Sequence, residues 1–463
     1  MRERTIPWKF TGVASIILSC LLLMVFLHGC KHKTEDRISK LKEISAFRVD
    51  EKLLHKFVRG QLSICGEQPE SEVRIYPAFK SDKPLYGSIR FAGEYGQENS
   101  GILYHFAVDE SQGLGKGYDR LYFDLNRDLD LTNDKPRVSL KRPPKGATLE
   151  NPHIKQQICF NCLNVNFNFG AGSRRALEIM PRLIIYNGGY TNMTFITTKA
   201  YKGHIKIAGQ RYDVLLGHNY LISGWFDRPW TALHLIPNGD FSRQPSWSGA
   251  ERLMAIHKID QTYYRFSATP AGDKLIARPY DGKLGIFMGG SSGRDMTYIG
   301  CSGSLRSEDK AVAVGSEREN GWLQPSYKSQ IPIGDYLPDS LTIQYDRLRI
   351  HISDNYHSDG KPMSRASTDK NYGIKIRENE PFVFDFSNEP EVMFASPAKD
   401  HRVKLGEELQ VKAVLIDPEL DIMIRRLDDT GTEQKQKNVS LDPKVIITRG
   451  DGEKVAEGVM PFG

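Results

Sequence analysis

Sulfur is scarce in this sequence: its 463 residues hold six cysteines, two of which, Cys20 and Cys30, fall within the first thirty positions. Four thiols, Cys65, Cys159, Cys162 and Cys301, remain for the rest of the chain. A structural zinc site wants four sulfur or imidazole ligands at recognisable spacing, and lone Cys65 and Cys301 do not provide a second pair. Cys159 and Cys162 stand in Gln-Gln-Ile-Cys-Phe-Asn-Cys-Leu-Asn-Val, which reads as a strand. A reactive dithiol needs the helix N-terminus that lowers its pKa, so redox chemistry is disfavoured. A one-sided charge is also missing. The net charge is +6, with lysine and arginine dispersed among the acids. Nucleic-acid binding requires a concentrated basic footprint, and no nucleic-acid partner is expected. No Gly-x-Ser-x-Gly elbow surrounds Ser302, and the glycines of Met288-Gly289-Gly290-Ser291-Ser292-Gly293 lack the Gly-Lys-Ser/Thr of a phosphate loop.

A long apolar run occurs once, from Phe10 to Leu27, behind the basic residues Arg2, Arg4 and Lys9. A positive start followed by such a run has the form of an export signal. It closes in Leu27-His28-Gly29-Cys30, which resembles the lipobox of bacterial lipoproteins, with His28 as the departure. That resemblance implies cleavage before Cys30 and acylation of the cysteine, so residues 1–29 would be a signal peptide. Two or three acyl chains exceed what stable anchoring needs. The expected address is the bacterial cell envelope, lipid-anchored, with membrane lipid as a partner. Lys31 rather than aspartate follows the cysteine, which in a Gram-negative host favours the outer membrane. An uncleaved transmembrane anchor is the alternative, since the 18 residues from Phe10 to Leu27 approach the minimum span.

From Lys31 to Arg59, Ile38, Leu41, Ile44, Phe47, Leu54 and Phe57 recur about every third residue, which predicts a lipidated tether and short amphipathic helices over 30–70. From Ser71 the period changes to two. Leu85 to Phe91, Gly101 to Val108, Leu163 to Phe169, Thr262 to Ala268 and Leu348 to Ile352 read as strands separated by Asp, Gly, Pro and Asn clusters. The expected fold class is mainly β, a multidomain sandwich- or barrel-like architecture. Its expected divisions are a β-rich domain over 71–248, a second β-rich domain or continuation over 249–378, and an immunoglobulin-like sandwich over 379–463.

The sharpest local signal is Asp124-Leu125-Asn126-Arg127-Asp128-Leu129-Asp130-Leu131-Thr132-Asn133-Asp134. Oxygens at alternate positions of a tight loop can surround a hard cation. The expected ligands of a structural Ca²⁺ are Asp124, Asn126, Asp128, Asp130, Thr132 and Asp134. A solvated acidic turn, its side chains holding turn amides, is the other reading. The stretch resembles the calcium loop of EF-hand or dockerin type, with Leu129 in place of the usual glycine and Lys135 in place of the closing glutamate. A second polar cluster gathers His351, Asp354, His357 and Asp359, whose spacing matches no metallohydrolase motif. Tyr220, Trp225 and Trp230 form an aromatic stretch beside Asp227 and Arg228, a composition suited to stacking on sugar faces or to an interface.

Taken with the lipobox, the Leu-Tyr-Phe-Asp-Leu-Asn-Arg-Asp-Leu-Asp-Leu-Thr stretch and the closing Ala-Glu-Gly-Val-Met-Pro-Phe-Gly resemble uncharacterised bacterial lipoproteins of the planctomycete type. The expectation is a calcium-stabilised envelope lipoprotein with a binding or structural role, taking carbohydrate or an envelope protein as partner. A secreted polysaccharide-directed hydrolase is the alternative, and paired carboxylates across a cleft would support it.

Overall fold

Alternation of buried and exposed side chains dominates the chain, and the structure follows it. A computed structural model describes residues 36–49, 54, 60–92, 101–113, 117–168, 174–218, 221–240, 252–290, 297–307, 310–319, 322–325, 328–363, 372–385, 389–397, 400–404, 406–431 and 439–460. The apolar leader and Cys30 lie outside these residues. The chain divides after Asp36, and the unit from Arg37 onward is mainly β, multi-sheet and multidomain. Among the described residues its elements are strands and one 3-10 turn, Ala46–Arg48, with a helical position at Leu54.

Two sheets face each other in the first part. One orders Leu85–Phe91, Ile102–Asp109, Arg120–Phe123 and Arg137–Val138. The other is built around the long strand Arg174–Tyr186, which pairs with Thr191–Thr197, Ile154–Cys159 and Leu163–Asn168. Phenylalanine fills the space between them. The Phe195 ring of the second sheet stands 5.4 Å from Phe91, 5.6 Å from Phe106 and 5.7 Å from Phe123, all three of the first sheet. Edge-to-face packing of this kind adds to the burial term.

A third, larger sheet begins with Ala232–Pro237, Gln210–Gly217, Lys199–Ile207, Arg37–Ser45, Lys274–Pro279, Thr262–Ala268 and Ala255–Ile259. These strands wrap a core that includes Leu41, Tyr201, Val214, Phe226, Leu235, Phe266 and Leu275. A lone bridge between Ala232 and Arg252 joins the two ends of this series, and no closed barrel ladder is formed among the described residues. The sheet then continues by a parallel step to Ala311–Val314, and on through Tyr298–Arg306, Gly334–Tyr345, Leu348–Ile352, Ile422–Asp429, Lys412–Asp417 and Glu391–Ser396. Cys301, Leu305, Leu341, Ile343, Tyr345, Ile350 and Ile352 point to a third core on one face.

Three expectations are corrected here. Residues 37–45 are a strand where helical spacing was expected, because Arg37–Ser45 is hydrogen-bonded on both edges, to Lys199–Ile207 and to Lys274–Pro279. The immunoglobulin-like sandwich over 379–463 is not what the pairing shows. Phe382–Phe384 joins Leu284–Gly289, four further strands extend the large sheet, and among the described residues Lys444–Thr448 pairs only with Lys454–Val459. No helix–loop–helix surrounds the acidic loop either: the strand Arg120–Phe123 leads into it.

Candidate functional site

The segment 221–231 is a strap with an anchor in each of two cores. Ile222 is buried in the phenylalanine core, and its backbone bonds to Ala92 N and to the Gln61 side chain. Four residues on, Phe226 is buried in the adjoining core, where its N–H donates to Pro270 O. The strap's far end is tied down as Leu253 N and Met254 N donate to Thr231 O and Pro229 O. Between and beyond these anchors Trp225 and Trp230 stay half-buried. Each carries a guanidinium on its ring: Arg228 lies 3.9 Å from the Trp225 centroid and Arg252 lies 4.4 Å from that of Trp230. Cations over the indole face are attracted by its quadrupole. Tyr220, the third aromatic of this stretch, lies outside the described residues.

Arg252 links the strap to buried charge. Its Nη1 is 2.8 Å from Oδ2 of Asp339, a side chain only 4% exposed. The contact is a charge pair, and Nη1 makes no aligned hydrogen bond among the described residues. Ser304 Oγ donates to the same oxygen at 3.1 Å, and Arg306 Nε approaches Oδ1 at 3.9 Å. Asp354 is held next to this group by its N–H to Pro338 O. Burial raises the Asp354 pKa, while Arg306 and Arg425 pull it down. The result is a row from aromatic surface to buried acid: Trp230, Arg252, Asp339. Removing one partner of such a pair strands the other charge, which is what fixes the row in place.

The acidic loop is not a cation site. Asp124 is fully buried, and its two oxygens accept from the N–H groups of Asp128 (3.2 Å) and Leu129 (3.1 Å). Asp128 Oδ1 accepts from Asp130 N, Asp130 Oδ1 from Thr132 N and Oγ1, Asp134 Oδ2 from Leu125 N, and Asn126 Oδ1 from Asp128 N. A calcium shell needs six to eight oxygens converging on one point. Here the oxygens are taken up by loop amides, and among the described residues no group of three or more His, Cys, Asp and Glu is placed to hold a metal. The expected Ca²⁺ cofactor, and the calcium-stabilised lipoprotein built on it, are overturned. The turn is pinned from outside by Leu131, which is fully buried against Val73, Tyr86 and Tyr122. Asp124→Ala is therefore expected to cost about 1–3 kcal/mol by taking the acceptor from the Leu129 amide and leaving the Asp128 amide to Asn126 alone, with calcium leaving the melting temperature of wild type unchanged. Calorimetric scans with calcium and with chelator check both.

Cys65, Cys159, Cys162 and Cys301 are all free thiols. Burial pushes Cys65 and Cys301 up to about 12 and Cys162 up to about 11, the opposite of a reactive thiolate. Of the second polar cluster, His357 and Asp359 are exposed and Asp354 joins the Asp339 group. His351 instead meets two residues that the sequence reading passed over, Thr342 and Asp428. Asp428 stands 77 positions away, and its only signal is the alternation of a strand.

Comparison with known proteins identifies no relative: no family model, no curated protein and no solved structure matches the chain. The resemblance to planctomycete-type lipoproteins with an EF-hand-like loop is thereby corrected. What stands is a mostly-β protein.

Proposed function

We propose that this chain binds carbohydrate at the strap 221–231, as a module carried on the cell envelope. The observation that supports the reading most is the pair of half-buried tryptophans held five residues apart on a strap with a buried anchor in each of two cores. A sugar ring offers an apolar face for an indole and hydroxyls for charged groups at its edge. Trp225 and Trp230 supply the first, and Arg228 and the Arg252–Asp339 pair the second. Because both tryptophans are fixed before a ligand arrives, little side-chain ordering remains to oppose binding.

The envelope address rests on the sequence signal alone. Cys30 would carry the acyl chains. Metabolic labelling with an alkyne fatty acid reads this separately: label on wild type and none on Cys30→Ser supports the anchor.

Glycan-array binding of the purified protein tests the carbohydrate reading. Wild type is expected to retain a restricted set of glycans. Trp230→Ala is expected to weaken the best of them about tenfold or more, as loss of a stacking anchor does at binding sites. A wild type that retains no glycan, or a Trp230→Ala variant that retains the same set equally, would sink it.

A further inference from the structure

The outer face of the large sheet carries a hydroxyl, an imidazole and a carboxylate in hydrogen-bond sequence. Thr342 and His351 are directly opposed in the antiparallel pairing of Gly334–Tyr345 with Leu348–Ile352. Their neighbours Leu341, Ile343, Ile350 and Ile352 turn to the core, so by the pleat Thr342 and His351 turn away from it. Thr342 Oγ1 lies 3.1 Å from His351 Nδ1. His351 Nε2 lies 3.1 Å from Asp428 Oδ2, on the next strand. Asp428 is only 4% exposed, and its other oxygen accepts from Arg426 Nε at 2.6 Å, which fixes the carboxylate. A carboxylate can only accept, so Nε2 bears the proton and Nδ1 is left to accept from the threonine hydroxyl. His351 itself is 34% exposed, within reach of a solute. One rung along, Arg349 faces Gln344, its Nη2 3.3 Å from Gln344 Oε1, placing a guanidinium on the same face.

A nucleophile bonded to a base that a third group orients is the arrangement of covalent acyl transfer. We propose that Thr342, His351 and Asp428 form a nucleophilic site for small, exposed carboxylic esters, independent of the tryptophan strap. Thr342 Oγ1 attacks the ester carbonyl carbon while its proton passes to His351 Nδ1. The carbon–oxygen bond to the alcohol breaks, and His351 returns that proton to the departing oxygen. Water then attacks the acyl-threonine, gives one proton to His351 and releases the acid as Thr342 recovers it. Asp428 stabilises the imidazolium in both halves, and Arg349 offers a cation on the same face to the developing oxyanion.

The test is p-nitrophenyl acetate hydrolysis by the whole protein, with acid quenching and peptide mass spectrometry. The expected result is release of nitrophenol with an acetyl group on Thr342. Thr342→Val and His351→Gln are expected to lower the rate about 100-fold or more, and Thr342→Ser to retain it. Denaturation midpoints show whether each variant is folded, and the adduct on wild type is a readout that a merely structural polar ladder would not give. No hydrolysis above buffer, or hydrolysis that persists in folded Thr342→Val, or an adduct elsewhere than Thr342, would overturn the proposal.

Discussion

Replacing Phe195 with alanine is expected to destabilise the protein by about 3–5 kcal/mol, the usual cost of deleting a fully buried aromatic ring. The ring lies at the middle of the two-sheet core, within 5.4–5.7 Å of three phenylalanines that all belong to the opposite sheet. It is also fully buried, so the backbone on both sides would have to move to refill the space. Phe91, Phe106 and Phe123 sit on three different strands. Phe195→Leu keeps most of the volume and is expected to cost roughly half as much. Denaturant midpoints, followed through the signal of this core, measure both. A cost under about 1 kcal/mol for the alanine would mean the sheets are not packed on one another as described.

Acid is expected to weaken the fold through His218. This side chain is buried at the end of Gln210–Gly217, its ring 4.4 Å from that of Phe226, and neither ring nitrogen has a hydrogen-bond partner among the described residues. Burial first, and then the nearby Arg175 charge, disfavour the imidazolium and bring its pKa down to about 3. In the unfolded chain the group titrates near its ordinary value of about 6.5. Between those two values the unfolded state binds a proton that the folded state refuses. The stabilisation is therefore complete above about pH 6.5 and is lost as pH falls toward about 3, by about 1.4 kcal/mol per unit. His218→Leu removes this titration. Urea unfolding at a series of pH values is expected to show a shallower acid slope for the variant than for wild type, while carboxylates contribute equally to both. Parallel slopes would place a proton partner or solvent at this imidazole.

Much of the architecture was legible because strand period is a local property. Thr262–Ala268 alternates Tyr263, Arg265 and Ser267 with Tyr264, Phe266 and Ala268, and no helical reading competes. Arg37–Ser45 deceived for a physical reason. Ile38, Leu41 and Ile44 have helical spacing, yet Ile38 is 65% exposed, and pairing on both edges overrides the pattern. The C-terminal strands were visible as strands, but their partners were not. A run of short strands reads the same whether it closes on itself or, like Ile422–Asp429, adds to a sheet begun nearly four hundred residues earlier. The acidic loop shows the limit of motif spacing. Alternate aspartates can point oxygens inward at a cation or backward at their own amides, and Asp124 does the second. The tryptophans of the strap were recognisable by composition. That Arg252 and Asp339 would stand behind Trp230 was not, since Arg252 precedes the strand Ala255–Ile259, Asp339 lies within Gly334–Tyr345, and no sequence interval records their meeting.

Titration of the protein's tryptophan fluorescence with the oligosaccharide best retained on the array shows whether the strap is where sugar binds. A saturable change is expected that is absent from Trp230→Phe/Trp225→Phe and weakened in Arg252→Ala, each variant remaining folded by its denaturation midpoint. A saturable change that survives in the double phenylalanine variant, or no change in wild type at concentrations where the array showed binding, would contradict it.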